Sequence, residues 1–137
     1  MTTSPEVELA TAVIVALRAD ATLIAQVAAA KILAYVPEGT DEPYIEIVEN
    51  STGEWDTDTD NGKVHTVSIS AWSSQEGPKE VQNILRAVYD VLQDNVSLSL
   101  TGHNLVNMRY LFQDVVREPD GQLYHGIVQF RAVTEEI

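Results

Sequence analysis

The run from Val64 to Ser73, VHTVSISAWS, admits few structures. Val67, Ile69 and Ala71 fall on one side of an extended chain, and Thr66, Ser68, Ser70 and Trp72 on the other. Period-two alternation with β-branched residues specifies a half-buried strand. Such a strand needs paired neighbours and an apolar cover for one face. The flanks offer both. Tyr44 to Glu49 alternates as well, with Ile45 and Ile47 on one face and Glu46 on the other. Pro78 to Asp94 sets Val81, Ile84, Leu85, Val88 and Leu92 along one helical stripe, suited to lying across a sheet.

The remaining segments fit around this unit. Ser4 before Pro5 is a helix start, with Glu6 and Glu8 at the positive end of the helix dipole. Val7, Ala10, Val13, Ile14 and Leu17 then form an apolar stripe. Asp20 caps a shorter helix over Ala21 to Ala30, with Leu23, Ile24 and Val27 inward. Ile32 to Val36 and Val96 to Leu100 read as short strands. Pro37 to Pro43 is a loop by composition. Leu105 to Arg117 is a long strand with Val106, Met108, Tyr110 and Phe112 on its apolar side. After the turn Glu118-Pro119-Asp120-Gly121, Leu123 to Val133 returns with Tyr124, Val128, Phe130 and Ala132 inward. Hairpins dominate and no βαβ series occurs. The expected fold is α+β, an antiparallel sheet of about four to five strands with two to three helices packed on one face. It forms a single domain over residues 1–137, with a long acidic loop at 50–63.

Charge and motif content narrow the chemistry. The chain carries 21 acidic and 8 basic residues, for a net charge of −13. Nucleic-acid affinity comes mostly from cations that neutralise phosphates, so specific DNA binding is not expected. There is no cysteine, which excludes disulfides, thiolate nucleophiles and Cys-ligated zinc. The apolar run near the N-terminus is interrupted by Glu6, Glu8 and Arg18, so it reads as neither a signal peptide nor a membrane span. Synthesis in the cytoplasm is expected. No GxSxG elbow, Walker loop or dinucleotide glycine pattern occurs. His65, His103 and His125 lie on separate elements without metal-ligand spacing, and read as turn or strand-edge residues. Asp56, Asp58 and Asp60 alternate like the start of a calcium loop, but Asn61 stands where glycine is needed and Val67 where a bidentate glutamate is needed. No catalytic residue, cofactor site or metal site is expected.

Two tryptophans stand out against this plain background. Trp55 lies inside the acidic loop, and Trp72 ends the alternating strand on its polar side. Each either folds back on its own chain or anchors a neighbouring subunit, since buried aromatics dominate interface energetics. The sheet face away from the helices would carry Glu46, Ser68, Ser70, Asn107, Arg109, Gln129 and Arg131. Such a face is either wet or a polar subunit contact.

Several motifs, in order, resemble a known family. They are Trp55-x-Thr57, Gly62-x-x-His65, Ala71-Trp72-Ser73, Gly102-His103-Asn104-Leu105-Val106-Asn107-Met108-Arg109, and Pro119-Asp120-Gly121 followed by His125-Gly126 and Phe130-Arg131-Ala132. With Val36-Pro37-Glu38-Gly39 before Pro43-Tyr44-Ile45, the pattern resembles the tail-completion proteins, or tail terminators, of long-tailed phages and gene transfer agents. The resemblance implies a structural virion protein at the tail–neck junction, made in the host cytoplasm. Copies would close into a ring, a hexamer in this family, that caps the tail tube, ends its polymerisation and docks the tail to a head-completion or neck protein. DNA would pass through without specific binding. Trp55 and Trp72 would then be subunit-interface residues, and Asp56, Asp58 and Asp60 would face the channel or a partner. The alternatives are a head-to-tail joining protein, and a stand-alone metal- or ligand-binding domain that uses the acidic loop.

Overall fold

A computed structural model describes residues 4–55, 61–74, 77–119 and 123–137. The elements are α1 (Pro5–Arg18), α2 (Ala21–Ile24), a 3-10 turn (Ala29–Lys31), β1 (Ile32–Leu33), β2 (Tyr44–Glu54), β3 (Gly62–Ser73), α3 (Lys79–Leu92), β4 (His103–Arg117) and β5 (Tyr124–Glu136). The five strands form one sheet in the order β1-β2-β3-β5-β4. Only the short β1–β2 pair is parallel. The helices pack on one face of this sheet, and the α+β architecture expected from the hairpin pattern is the one found.

α3 holds the centre. Val81, Ile84, Leu85, Val88 and Leu92 are all fully buried, as their spacing predicts. The helix lies over β3, β4 and β5. Beneath it β5 presents Gly126, where a Cβ would stand 2.7 Å from Val81 Cγ2 and 2.9 Å from Leu85 Cδ1. Phe130, Val128, Ile69 and Met108 complete the core under this helix.

α1 starts as its sequence indicates. The Ser4 hydroxyl accepts the Val7 N–H, and Pro5 opens the helix. Its buried stripe is Leu9, Ala12, Val13 and Leu17, while Val7 stays 56% exposed. The i, i+4 ladder Leu9–Val13–Leu17 turns the helix away from the stripe that begins at Val7. At the far end Arg18 donates twice to the Ile32 carbonyl, at 3.0 and 2.8 Å, and ties α1 to β1.

Other segments depart from the sequence reading. α2 is a single turn capped by Asp20, whose carboxylate accepts the Leu23 N–H at 2.9 Å. It buries Leu23 but leaves Ile24 exposed, and Val27 enters the core from the turn that follows. Residues 96–100 form no strand beyond one bridge between Leu100 and His103. Asn95 and Ser97 bond locally instead, with the Asn95 side chain donating to the Val91 carbonyl and accepting the Ser97 N–H. Such local bonds compete with strand pairing. The acidic loop is shorter than its composition suggests. β2 and β3 stay paired from Ser51↔Thr66 to Glu54↔Lys63, past an irregularity between Glu49 and Ser51. The Trp55 N–H then donates to the Gly62 carbonyl at 2.9 Å.

β4 carries the largest correction. Register shifts between Leu105 and Asn107, and between Tyr110 and Phe112, each insert one residue. A bulge reverses which side later residues face. Leu105 and Met108 are therefore buried, whereas Val106 and Phe112 are 39% and 46% exposed.

Gly126→Ala tests the close approach of α3 to β5. The added methyl must push Val81 and Leu85 outward, an overpacking cost of about 1–3 kcal/mol. Chemical denaturation is expected to show that loss; an unchanged midpoint would mean that the helix sits farther from the strand.

Candidate assembly surface

Strand register defines the face that the helices leave uncovered. Paired residues on neighbouring strands share a side, and the side alternates along each strand. Glu46, Ser68, Ser70, Asn107, Arg109, Gln129 and Arg131 all fall on the side opposite the core, as expected. Ser68 and Ser70 are nevertheless buried. The Gln129 side-chain amide donates to the Ser68 hydroxyl at 2.9 Å. The face is less polar than the alternation suggests, since Val48, Phe112 and Val116 are exposed on it.

One end of this face is aromatic. Tyr44, Trp72, His125 and Val116 stand in one register row across β2, β3, β5 and β4. Trp72 stacks on His125 with centroids 4.3 Å apart and planes 6° from parallel. Tyr44 stacks on Trp72 at 5.1 Å. Burial holds the His125 imidazole below its ordinary pKa, while the Glu118 carboxylate pulls the other way. Glu118 Oε1 lies 3.8 Å from His125 Nδ1. His125 Nε2 is buried without a hydrogen-bond partner among the described residues. Burial, then Glu42 and Glu46, raise the Tyr44 hydroxyl pKa. Trp72 is thus held in a stack within its own chain.

Trp55 follows β2 and is 37% exposed. Its backbone and ring pack on Gly62, where a Cβ would collide with the Trp55 carbonyl and lie 2.9 Å from the ring. The indole therefore both folds back on its hairpin and presents surface. Asp56, Asp58 and Asp60 lie outside the described residues.

β4 is the edge strand on one side of the sheet. Near its middle the edge is occupied. The Asp94 N–H donates to the Met108 carbonyl at 2.9 Å, and the Gln93 side chain accepts the Tyr110 N–H at 2.7 Å. Asp94 takes a left-handed conformation, φ 58°, to make that contact. Asp tolerates this region better than most residues. Beyond Tyr110 no described backbone group covers the edge up to Val116, and Leu111, Phe112 and Val116 are exposed there. Sequence alternation missed this apolar, unpaired edge because the bulge that creates it has no glycine or proline to mark it.

The histidines do not converge. His65 is buried on the core side of β3, with Nε2 3.0 Å from the Thr134 hydroxyl, and is neither a turn nor a strand-edge residue. His103 is buried at the start of β4, and His125 lies in the aromatic stack. Among the described residues, no group of three or more metal-ligating side chains comes together. A pocket of about 250 Å³ beside the start of α1 is lined by Ser4, Lys63, His103, Thr134 and Glu136. No helix of the described residues is long and apolar enough to cross a membrane. The geometry is that of a scaffold with a helix-free sheet face and, among the described residues, a β4 edge left bare beyond Tyr110.

Comparison with known proteins adds to this geometry. Residues 11–135 match the family model described as tail completion protein gp17. A chain in the structure "Virion of native gene transfer agent (GTA) particle" is similar in fold, with a TM-score of 0.88 and 27% sequence identity. The likeness covers 98% of this chain and 99% of that one. No curated protein sequence matches the chain.

The half-buried His125 imidazole makes stability depend on pH. Its folded pKa lies below its unfolded value, so its contribution is complete above about pH 6.5 and is lost as pH falls toward the folded pKa. Denaturant midpoints at pH 7.5 and 5.5 are expected to separate more for the native chain than for His125→Phe, which keeps the stacked ring. Equal separations would remove His125 as the cause.

Proposed function

The chain belongs to the family of tail completion protein gp17, and from that membership we propose that it caps the tail tube of a phage or gene transfer agent particle and joins the tail to the neck. It is a structural protein of a phage-type tail, and its place is the virion. The observation that carries this reading is the likeness, over nearly the full length of both chains, to a component of an assembled gene transfer agent virion.

In the proposed arrangement, copies close into a ring, a hexamer, at the head-proximal end of the tube. The ring stops tube polymerisation on one side and meets a head-completion protein on the other. Its assembly takes place in the host cytoplasm. A closed ring of identical chains needs heterologous contacts, in which two different patches of each copy meet. The helix-free sheet face and the bare half of β4 are suited to that use, because an unpaired strand edge is a natural site for another chain to add. Trp55 reaches a neighbouring copy from its hairpin, and the exposed rim of Trp72 joins the same contact. Asp56, Asp58 and Asp60 line the bore. A negative wall lets DNA slide, since it offers few cations to pair with phosphate. No step of this role is catalytic, and none needs a cofactor.

Electron microscopy of particles assembled without this protein tests the reading. Tails of uncontrolled, excessive length are expected. Tails of normal length that fail to attach to heads would transfer the role to head-to-tail joining.

A further inference from the structure

Positive charge is scarce in this chain, with 8 basic residues against 21 acidic ones. Two of the cations nevertheless stand face to face. Arg109 on β4 is in direct register with Arg131 on β5, on the helix-free side of the sheet. Like charges at directly opposed positions disfavour the pairing. No carboxylate of the neighbouring rows on this face compensates. The row continues through Thr66 to Ser51, and the flanking rows hold Ser68, Gln129 and Asn107 among apolar residues and glycine. No carboxylate stands in these three rows.

The two guanidiniums have little else to hold them. Arg109 reaches Asp94 at 3.5 Å, with both side chains more than half exposed, a geometry in which ion pairs contribute little. Arg131 is half-buried and makes no ion pair among the described residues. A half-buried guanidinium without an ion pair, on a position directly opposite a second arginine, is costly in an isolated chain. It becomes favourable when carboxylates arrive, because arginine forms short, bidentate, charge-assisted bonds with them.

We propose that Arg109 and Arg131 form the cationic half of a contact between copies, receiving carboxylates from the acidic surface of a second copy. This rests on the ring reading above. The choice of occupant follows from charge. Copies that each carry −13 repel one another, and a heterologous contact needs a positive patch to meet the acidic remainder of its neighbour. DNA phosphate is the other anion within reach of a tail, but the field of the whole chain opposes it.

Arg131→Lys and Arg109→Lys keep the charge and place an amine that a zero-length carbodiimide couples to a touching carboxylate. Particles assembled from equal amounts of ¹⁴N and ¹⁵N chains of each variant separate links between copies from links within one. Mixed-label links from position 131 or 109 to an Asp or Glu are expected, together with loss of the protein from particles when Arg131→Glu is used. Arg131→Gln, with its unfolding midpoint measured alongside, guards against a folding defect in the reversed variant. Mixed-label links found elsewhere, but never from these positions, would overturn the proposal and leave the ring intact. Links from these positions to a tube or neck chain would also overturn it. Full incorporation of Arg131→Glu with loss of DNA delivery would give the doublet to phosphate instead. Absence of any mixed-label link would sink the ring reading itself.

Discussion

The fold depends on the seating of α3 across the two central antiparallel strands. Its five apolar side chains are buried against the sheet, Val81 and Leu85 directly over the glycine of β5, and the close approach that results draws β3, β4 and β5 into one core. Burial of side chains of this size stabilises by roughly 1.5–3 kcal/mol each, so this contact dominates the local energetics. α1 adds a second apolar layer beside it and anchors the short parallel strand through Arg18. With the core gathered on one side, the other side of the sheet receives no helix.

That asymmetry shapes what the molecule can do. A sheet covered on one face alone normally turns polar on the other. Here the outer face is mixed, with an aromatic stack at one end, exposed Val48 and Phe112 in the middle, and two arginines farther along. The neighbouring edge of β4 is covered by Gln93 and Asp94 at Met108 and Tyr110, and bare beyond. Proteins usually blunt such edges with charge or cover. An apolar edge next to a mixed face fits a chain that is finished by its neighbours, which agrees with membership in a tail-completion family.

The helices and the central strands were legible because each depends on a pattern carried by side chains in sequence. The α3 stripe and the alternation of β3 and β5 lead directly to buried positions. Features that depend on partners were not legible. Val106 and Phe112 continue the alternation of β4 on paper, but two inserted residues turn them outward. The polar, glycine-containing composition of residues 51–54 and 62–63 suggests a loop, yet the backbone there is held by cross-strand pairing that tolerates polar side chains on an exposed hairpin. Val7 loses to Leu9 on α1 because packing against neighbouring elements, not spacing alone, decides which stripe is inward. Trp72 stands out in the sequence as an aromatic on a polar strand face, but its stacking partners Tyr44 and His125 come from strands whose register is visible only in the fold. Family resemblance was readable because its motifs stand in order along nearly the whole chain.

The central claim is that the helix-free face and the bare edge of β4 are covered by other copies in the particle. Cryo-electron microscopy of the assembled tail–neck junction addresses it most directly. The expected density is a closed ring in which the Arg109–Arg131 face of each copy, and β4 from Leu111 to Val116, lie against the adjacent copy. Density that leaves both surfaces open to solvent, or that contains one copy alone, would contradict the account.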